Sequence, residues 1–286
     1  MNYLLKTSLI AAVACPIVLS SCSKSSGYNS PPAPPANTIR ITNSTTFGNV
    51  LTDSAGNTLY FFSPDATGQT TCTGGCLAAW PSFYTPKVTA DAGLQSSDFG
   101  VITRPGGALQ TTYKGWPLYY FAQDTKAGQI NGDGLDNVWF VAKPDYTVML
   151  SMGRLKGADS LFYDTLGHSI ATATPFEYMT DDKGVTLYTF SHDSASVNKF
   201  TKSDFSNDGV WPIFQVSSVG KVPSILKTSD FGVINVFGKT QLTYKGWPLY
   251  HYGADGGVRG NTAGVSVPTP GAGIWPVARQ FASPAP

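Results

Sequence analysis

Charge is scarce in this chain of 286 residues: Asp, Glu, Lys and Arg together make up 13% of it, and the formal net charge is +1. That is about half the usual charged share of a soluble domain. With no surplus of either sign, the balance attracts neither nucleic acid nor an acidic membrane surface. Histidine is equally thin, and none of His168, His192 and His251 has a second His or Cys at a metal-ligand spacing, so they read as ordinary structural or surface residues. The nucleophile elbow Gly-x-Ser-x-Gly, the zinc motif His-Glu-x-x-His, a phosphate-binding glycine loop and a dinucleotide fingerprint are all missing. The expectation is a non-catalytic protein with no cofactor and no bound metal. "NGDGLDN" at 131–137 clusters oxygen ligands but lacks the alternating acids and closing Glu of a calcium loop, and reads as a polar turn.

Long apolar runs are absent after the first residues. "MNYLLKTSLIAAVACPIVLSSC" has one cation, Lys6, then an apolar run from Leu9 to Leu19 too short to span a bilayer, so residues 1–21 read as an export signal. Its end resembles the bacterial lipobox, which implies Cys22 as the lipid-modified first residue of the mature chain and a membrane held through that lipid. Cleavage removes Lys6 and no acid, leaving the mature chain formally neutral. Residues 22–37, dense in Ser and Pro, cannot bury enough surface to offset their ordering entropy and read as a tether.

Cysteine is rare as well, at four residues. Cys15 leaves with the signal and Cys22 carries lipid, so only Cys72 and Cys76 of "CTGGC" remain. The two glycines between them permit a reversal that brings the Cα atoms to bridging distance, and an oxidising envelope keeps such a bond. A structural disulfide is expected; a redox or metal-handling accessory using this pair is the alternative.

What the chain has in quantity is glycine, proline and aromatic residues, which together favour short strands joined by tight turns, hence an all-β fold. It also repeats itself. "TYKGWPLY" occurs at 112–119 and again at 243–250, inside longer matching stretches, so the chain is at least two copies of one half. Each half divides again, because Tyr-x-aromatic-x-x-Asp occurs four times: Tyr60/Phe62/Asp65, Tyr119/Phe121/Asp124, Tyr188/Phe190/Asp193 and Tyr250/Tyr252/Asp255. A turn precedes each motif, and a variable loop after it leads to Trp80, Trp139, Trp211 or Trp275.

Four similar antiparallel meanders predict a four-bladed, propeller-like ring, with two sandwich-like halves as the alternative. The organisation expected is a first half over 38–155 (repeats 1 and 2) and a second over 156–286 (repeats 3 and 4). Tyr and the aromatic two residues on share one strand face, and Asp falls just past the strand, where it can accept backbone N–H groups. Four copies of a site would seldom serve chemistry, so the motif residues read as scaffold.

"GNTLYFFSPD", "CTGGCLAAWP", "TYKGWPLYYFAQD" and "GVTLYTFSHD" carry a resemblance to tandem-repeat secreted lipoproteins with a Tyr-x-aromatic-x-x-Asp motif, a secreted repeat of unknown function. The resemblance implies location in a bacterial cell envelope and repeat architecture, and it supplies no reaction. The second half departs from it, having no cysteine before Trp211. The second functional class is a carbohydrate- or protein-binding module. The clusters Trp116/Tyr119/Tyr120 and Trp247/Tyr250/Tyr252 offer stacking surfaces if exposed, and the variable loops offer contacts to a glycan or an envelope protein.

Overall fold

The computed structural model describes residues 38–286; the proposed signal, Cys22 and the tether lie outside them. The described residues form short strands in several small sheets, with one five-residue α-helix at Gly75–Ala79. The protein is all-β, as its turn-rich composition predicts. No sheet among the described residues closes into a barrel or a ring of blades.

The identical octapeptides build identical hairpins. Phe99–Thr103 pairs with Leu109–Tyr113, which pairs with Trp116–Pro117; in the second half Phe231–Val236, Lys239–Tyr244 and Trp247–Pro248 do the same. Lys114 and Gly115, like Lys245 and Gly246, both have positive φ. That is the mirror-image turn whose twist matches the flanking strands.

The longest ladder joins Val148–Lys156 to Pro175–Asp181 in antiparallel register, with Tyr178 opposite Ser151. Alternation along the first strand sends Met149 into an apolar cluster with Phe61, Trp116 and Leu118, while Val148 and Leu150 enter one with Met179, Leu187 and Leu242. This strand therefore stitches the two halves together. All its ladder partners lie at 162–181. These partners lie beyond the expected boundary at 155/156, so backbone pairing runs across it.

The motif strands are joined across repeats. Tyr60 N–H donates to Tyr119 O at 2.8 Å and Tyr119 N–H returns the bond to Tyr60 O at 3.1 Å; Tyr188 and Tyr250 exchange the same pair at 2.8 and 3.0 Å. Val141 and Ser82 flank the first pair, and Val277 and Ile213 the second, each two residues after a repeat's tryptophan. Each half is thus a local four-strand unit related to itself by an approximate twofold axis between its two tyrosines.

Candidate functional site

The motif side chains complete what the backbone begins. The Tyr60 hydroxyl donates to Asp124 at 2.5 Å, and the Tyr119 hydroxyl to Asp65 at 2.6 Å. In the second half Tyr188 donates to Asp255 at 2.6 Å and Tyr250 to Asp193 at 2.8 Å. Every motif tyrosine therefore bonds the aspartate of the other repeat in its half, not its own. The second oxygen of each carboxylate accepts a backbone N–H from its own downstream loop: Thr71 at 2.6 Å, Asn131 at 2.9 Å, Lys199 at 2.7 Å and Ala263 at 2.9 Å. The aspartate is a joint that ties its own loop to its neighbour's strand.

The third motif position exchanges in the same way. Phe62 stacks on Trp139 of repeat 2 at 4.0 Å, and Phe121 on Trp80 of repeat 1 at 4.3 Å. Trp80 and Trp139 stack on each other at 3.8 Å, nearly parallel at 3°. The second half repeats this four-ring column, with Phe190 on Trp275, Tyr252 against Trp211, and the two tryptophans 3.6 Å apart. Edge-on tyrosines close its sides, Tyr60 to Trp80 at 5.4 Å and Tyr188 to Trp211 at 5.3 Å. Offset and edge-on ring pairs each add about 0.5–1.5 kcal/mol beyond the area they bury. Loop glycines make room for the rings: a Cβ on Gly132 would stand 2.7 Å from Trp80, and one on Gly264 would stand 2.7 Å from Tyr188.

Burial sets the electrostatics. All four motif tyrosines are 0% exposed, as is Asp65, while Asp193 and Asp255 are 1% exposed; Asp124 is partly open. Desolvation pushes the Asp65 and Asp193 carboxyls up to about 6, against the opposing effect of the hydroxyl and backbone donors that hold them. The same burial, with the adjacent carboxylate, raises the tyrosine hydroxyls, so they stay protonated and donate.

Cys72 and Cys76 are joined in a disulfide, Cα atoms 5.3 Å apart, at the start of the helix leading to Trp80. Arg104, 5% exposed, donates to Cys72 O at 2.6 Å and also to the Gln110 side chain, and lies over the Tyr119 ring. Gln241 occupies the matching place in the second half, where Asn198 donates to it at 2.8 Å. Both glutamines tie their strand to the motif strand, at Leu118 O and Leu249 O. Their identical position ahead of the two octapeptides is visible in the sequence, although they were not among the expected site residues. Arg259 was also missed, and a lone arginine in a variable loop gives no signal. It crosses between halves to Ala66 O at 3.0 Å and Lys114 O at 3.2 Å and lies over the Trp116 ring.

The aromatic clusters named as stacking surfaces are mostly interior: Trp116, Tyr119 and Tyr250 are fully buried, whereas Tyr120, Trp247 and Tyr252 are partly open. Phe121 and Asp124 line a shallow recess of about 280 Å³ with Asn57, Thr58 and Tyr120. "NGDGLDN" is used structurally, Asp133 accepting Val141 N–H at 2.8 Å. Among the described residues no group of three or more His, Cys, Asp or Glu side chains converges to hold a metal.

Fold and site define a tandem-repeat protein whose units are completed in pairs. Residues 42–83 and 100–143 match the model of a family described as a secreted repeat of unknown function, so the first half carries two copies of that secreted repeat. No curated protein and no solved structure matches the chain.

Proposed function

We propose that the protein is a non-catalytic, lipid-anchored scaffold of the bacterial cell envelope, whose repeated residues build the body and whose unlike loops meet the partner. One observation carries this reading. The four motif tyrosines are wholly buried and their hydroxyls are taken up by the partner repeat's aspartates, so the repeated positions present no free reactive group. The same exchange favours two paired halves over a ring of four equal blades, because motif strands in a ring would pair within their own units. A glycan or an envelope protein is the partner class, engaged by loops that differ between repeats, such as 66–79 and 256–274.

Anchoring rests on Cys22. No helix among the described residues is long and apolar enough to cross a membrane. Cys22→Ala is expected to move the protein from the membrane pellet to the soluble fraction, since it removes the lipid. Retention of the variant in the pellet after a high-salt wash would overturn the anchor. A glycan array probed with the intact protein and with loop variants tests the binding part; binding lost with loop changes at unaltered Tm is the expected result.

A further inference from the structure

The two copies of "TYKGWPLY" have the same turn and different occupants. Over the first copy sits a turn of the second half: Lys114 Nζ forms an ion pair with Asp182 at 2.6 Å and donates to Pro144 O at 3.1 Å, and Trp116 Nε1–H donates to Asp182 O at 3.1 Å. Lys114 O accepts from Arg259, and Trp116 is 0% exposed beneath it. The first copy is thus a socket for an acidic β-turn, with a lysine for the carboxylate, an indole N–H for the carbonyl and a ring face for an arginine.

Over the second copy the segment 280–286 reproduces those bonds with main-chain atoms alone. Lys245 Nζ donates to Gln280 O at 2.9 Å and Ala282 O at 3.1 Å, Trp247 Nε1–H donates to Ser283 O at 2.8 Å, and Ala285 N–H donates to Lys245 O at 2.9 Å. A neutral carbonyl stands where the first socket holds a carboxylate, and an amide stands where it holds a guanidinium. Trp247 stays partly open, and Phe281 of the same segment is 84% exposed. Beside the segment runs a groove of about 270 Å³ lined by Trp247, Tyr244, Arg279 and His168. Acids stand around this groove without pairing Lys245: Asp164 is 3.4 Å from His168 and acts on Arg279, while Asp230 and Glu177 act on Tyr244.

We propose that the Lys245–Trp247 socket is a protein-binding site for an acidic β-turn of a partner, over which 281–286 lies as a displaceable cover. The charge match argues for this occupant, because Lys245 forms no ion pair among the described residues whereas its twin Lys114 does. A second copy of this chain is the wrong occupant. Its turn equivalent to 181–184 is 53–56, which carries Ser54 where the docked turn has Asp182, and its loop carries Ala127 where Arg259 reaches across; the matching bonds Gly128 N–H to Gly56 O and Gly260 N–H to Gly184 O fix that alignment. The inference depends on neither the lipid anchor nor glycan binding by the loops.

The test uses the intact protein, a variant lacking 281–286, and Ala285→Pro, which loses the N–H to Lys245 O without shortening the chain. The probe is a peptide with the sequence of residues 179–186, MTDDKGVT, closed through added flanking cysteines, and binding is followed at the Trp247 indole N–H by NMR. Both cover variants are expected to bind it about tenfold more tightly than the intact protein, equivalent to about 1.4 kcal/mol. The gain should vanish with Lys245→Met or with Asn at the peptide's second Asp. Equal affinity for covered and uncovered protein, no binding by Ala285→Pro, or binding indifferent to Lys245→Met would overturn the proposal. Self-association of the uncovered variant without peptide would assign the socket to a second copy and overturn it equally.

Discussion

Tyr119 and Asp65 stand 54 residues apart and meet through a 2.6 Å hydrogen bond, whereas Asp124, five residues after Tyr119 in the same motif, bonds Tyr60. The motif is therefore half of a joint, and the other half arrives with the next repeat.

Asp65→Ala should cost more stability than Asp124→Ala, although the two residues occupy the same place in their repeats. Removing Asp65 leaves the wholly buried Tyr119 hydroxyl with Thr70 Oγ1 as its one remaining partner and takes the acceptor from Thr71 N–H, at about 1–3 kcal/mol in all. Asp124 is partly open, so water can replace it at Tyr60. Urea denaturation of the two variants checks the ranking.

Stability should fall as pH rises from about 4 to 7. Burial raises Asp65 and Asp193 to about 6 and Glu177 to about 7 in the folded protein, so the fold favours their protonated forms. A group raised in this way contributes fully below its unfolded value, near 4, and that contribution is lost as pH climbs through 6 to 7. Glu177, on the Pro175–Asp181 strand, owes its rise to desolvation alone. Glu177→Gln should accordingly raise Tm at pH 8 and leave it nearly unchanged at pH 4, as measured by scanning calorimetry.

The Cys72–Cys76 bridge closes a very short loop, and removing it with Cys72→Ser/Cys76→Ser should cost about 2 kcal/mol by the loop-entropy relation. The second half builds the same ring column without cysteines, which predicts that the double variant still folds. Near-ultraviolet circular dichroism of the tryptophan stacks, with free-thiol titration of the parent, checks both points.

Much of this architecture is legible in the sequence because repetition marks it. The four Tyr-x-aromatic-x-x-Asp strings, the four tryptophans and the Lys-Gly turns all stand where their spacing puts them, and strand alternation explains why Tyr119 and Phe121 share one cluster while Leu118 enters another. What a linear string does not carry is which copy a side chain answers to. Tyr60 bonding Asp124 and Tyr60 bonding Asp65 leave the same pattern in the sequence, and the first choice builds paired halves where the second would build separate blades. The pairing of Val148–Lys156 is hidden for a related reason: the strand follows directly on repeat 2, but its ladder partners come later. Arg259 was illegible because its work, crossing to Ala66 and Lys114, depends on a contact between halves.

The most direct test of the cross-repeat joint is a pair of double-mutant cycles on Tyr188, measured by denaturant unfolding. Tyr188→Phe combined with Asp255→Ala, its 2.6 Å partner in the other repeat, is expected to show a coupling of about 1–3 kcal/mol; Tyr188→Phe with Asp193→Ala, in its own motif, should be additive within about 0.5 kcal/mol. Strong coupling to Asp193 with additivity at Asp255 would mean that each motif closes on itself, and would contradict the account.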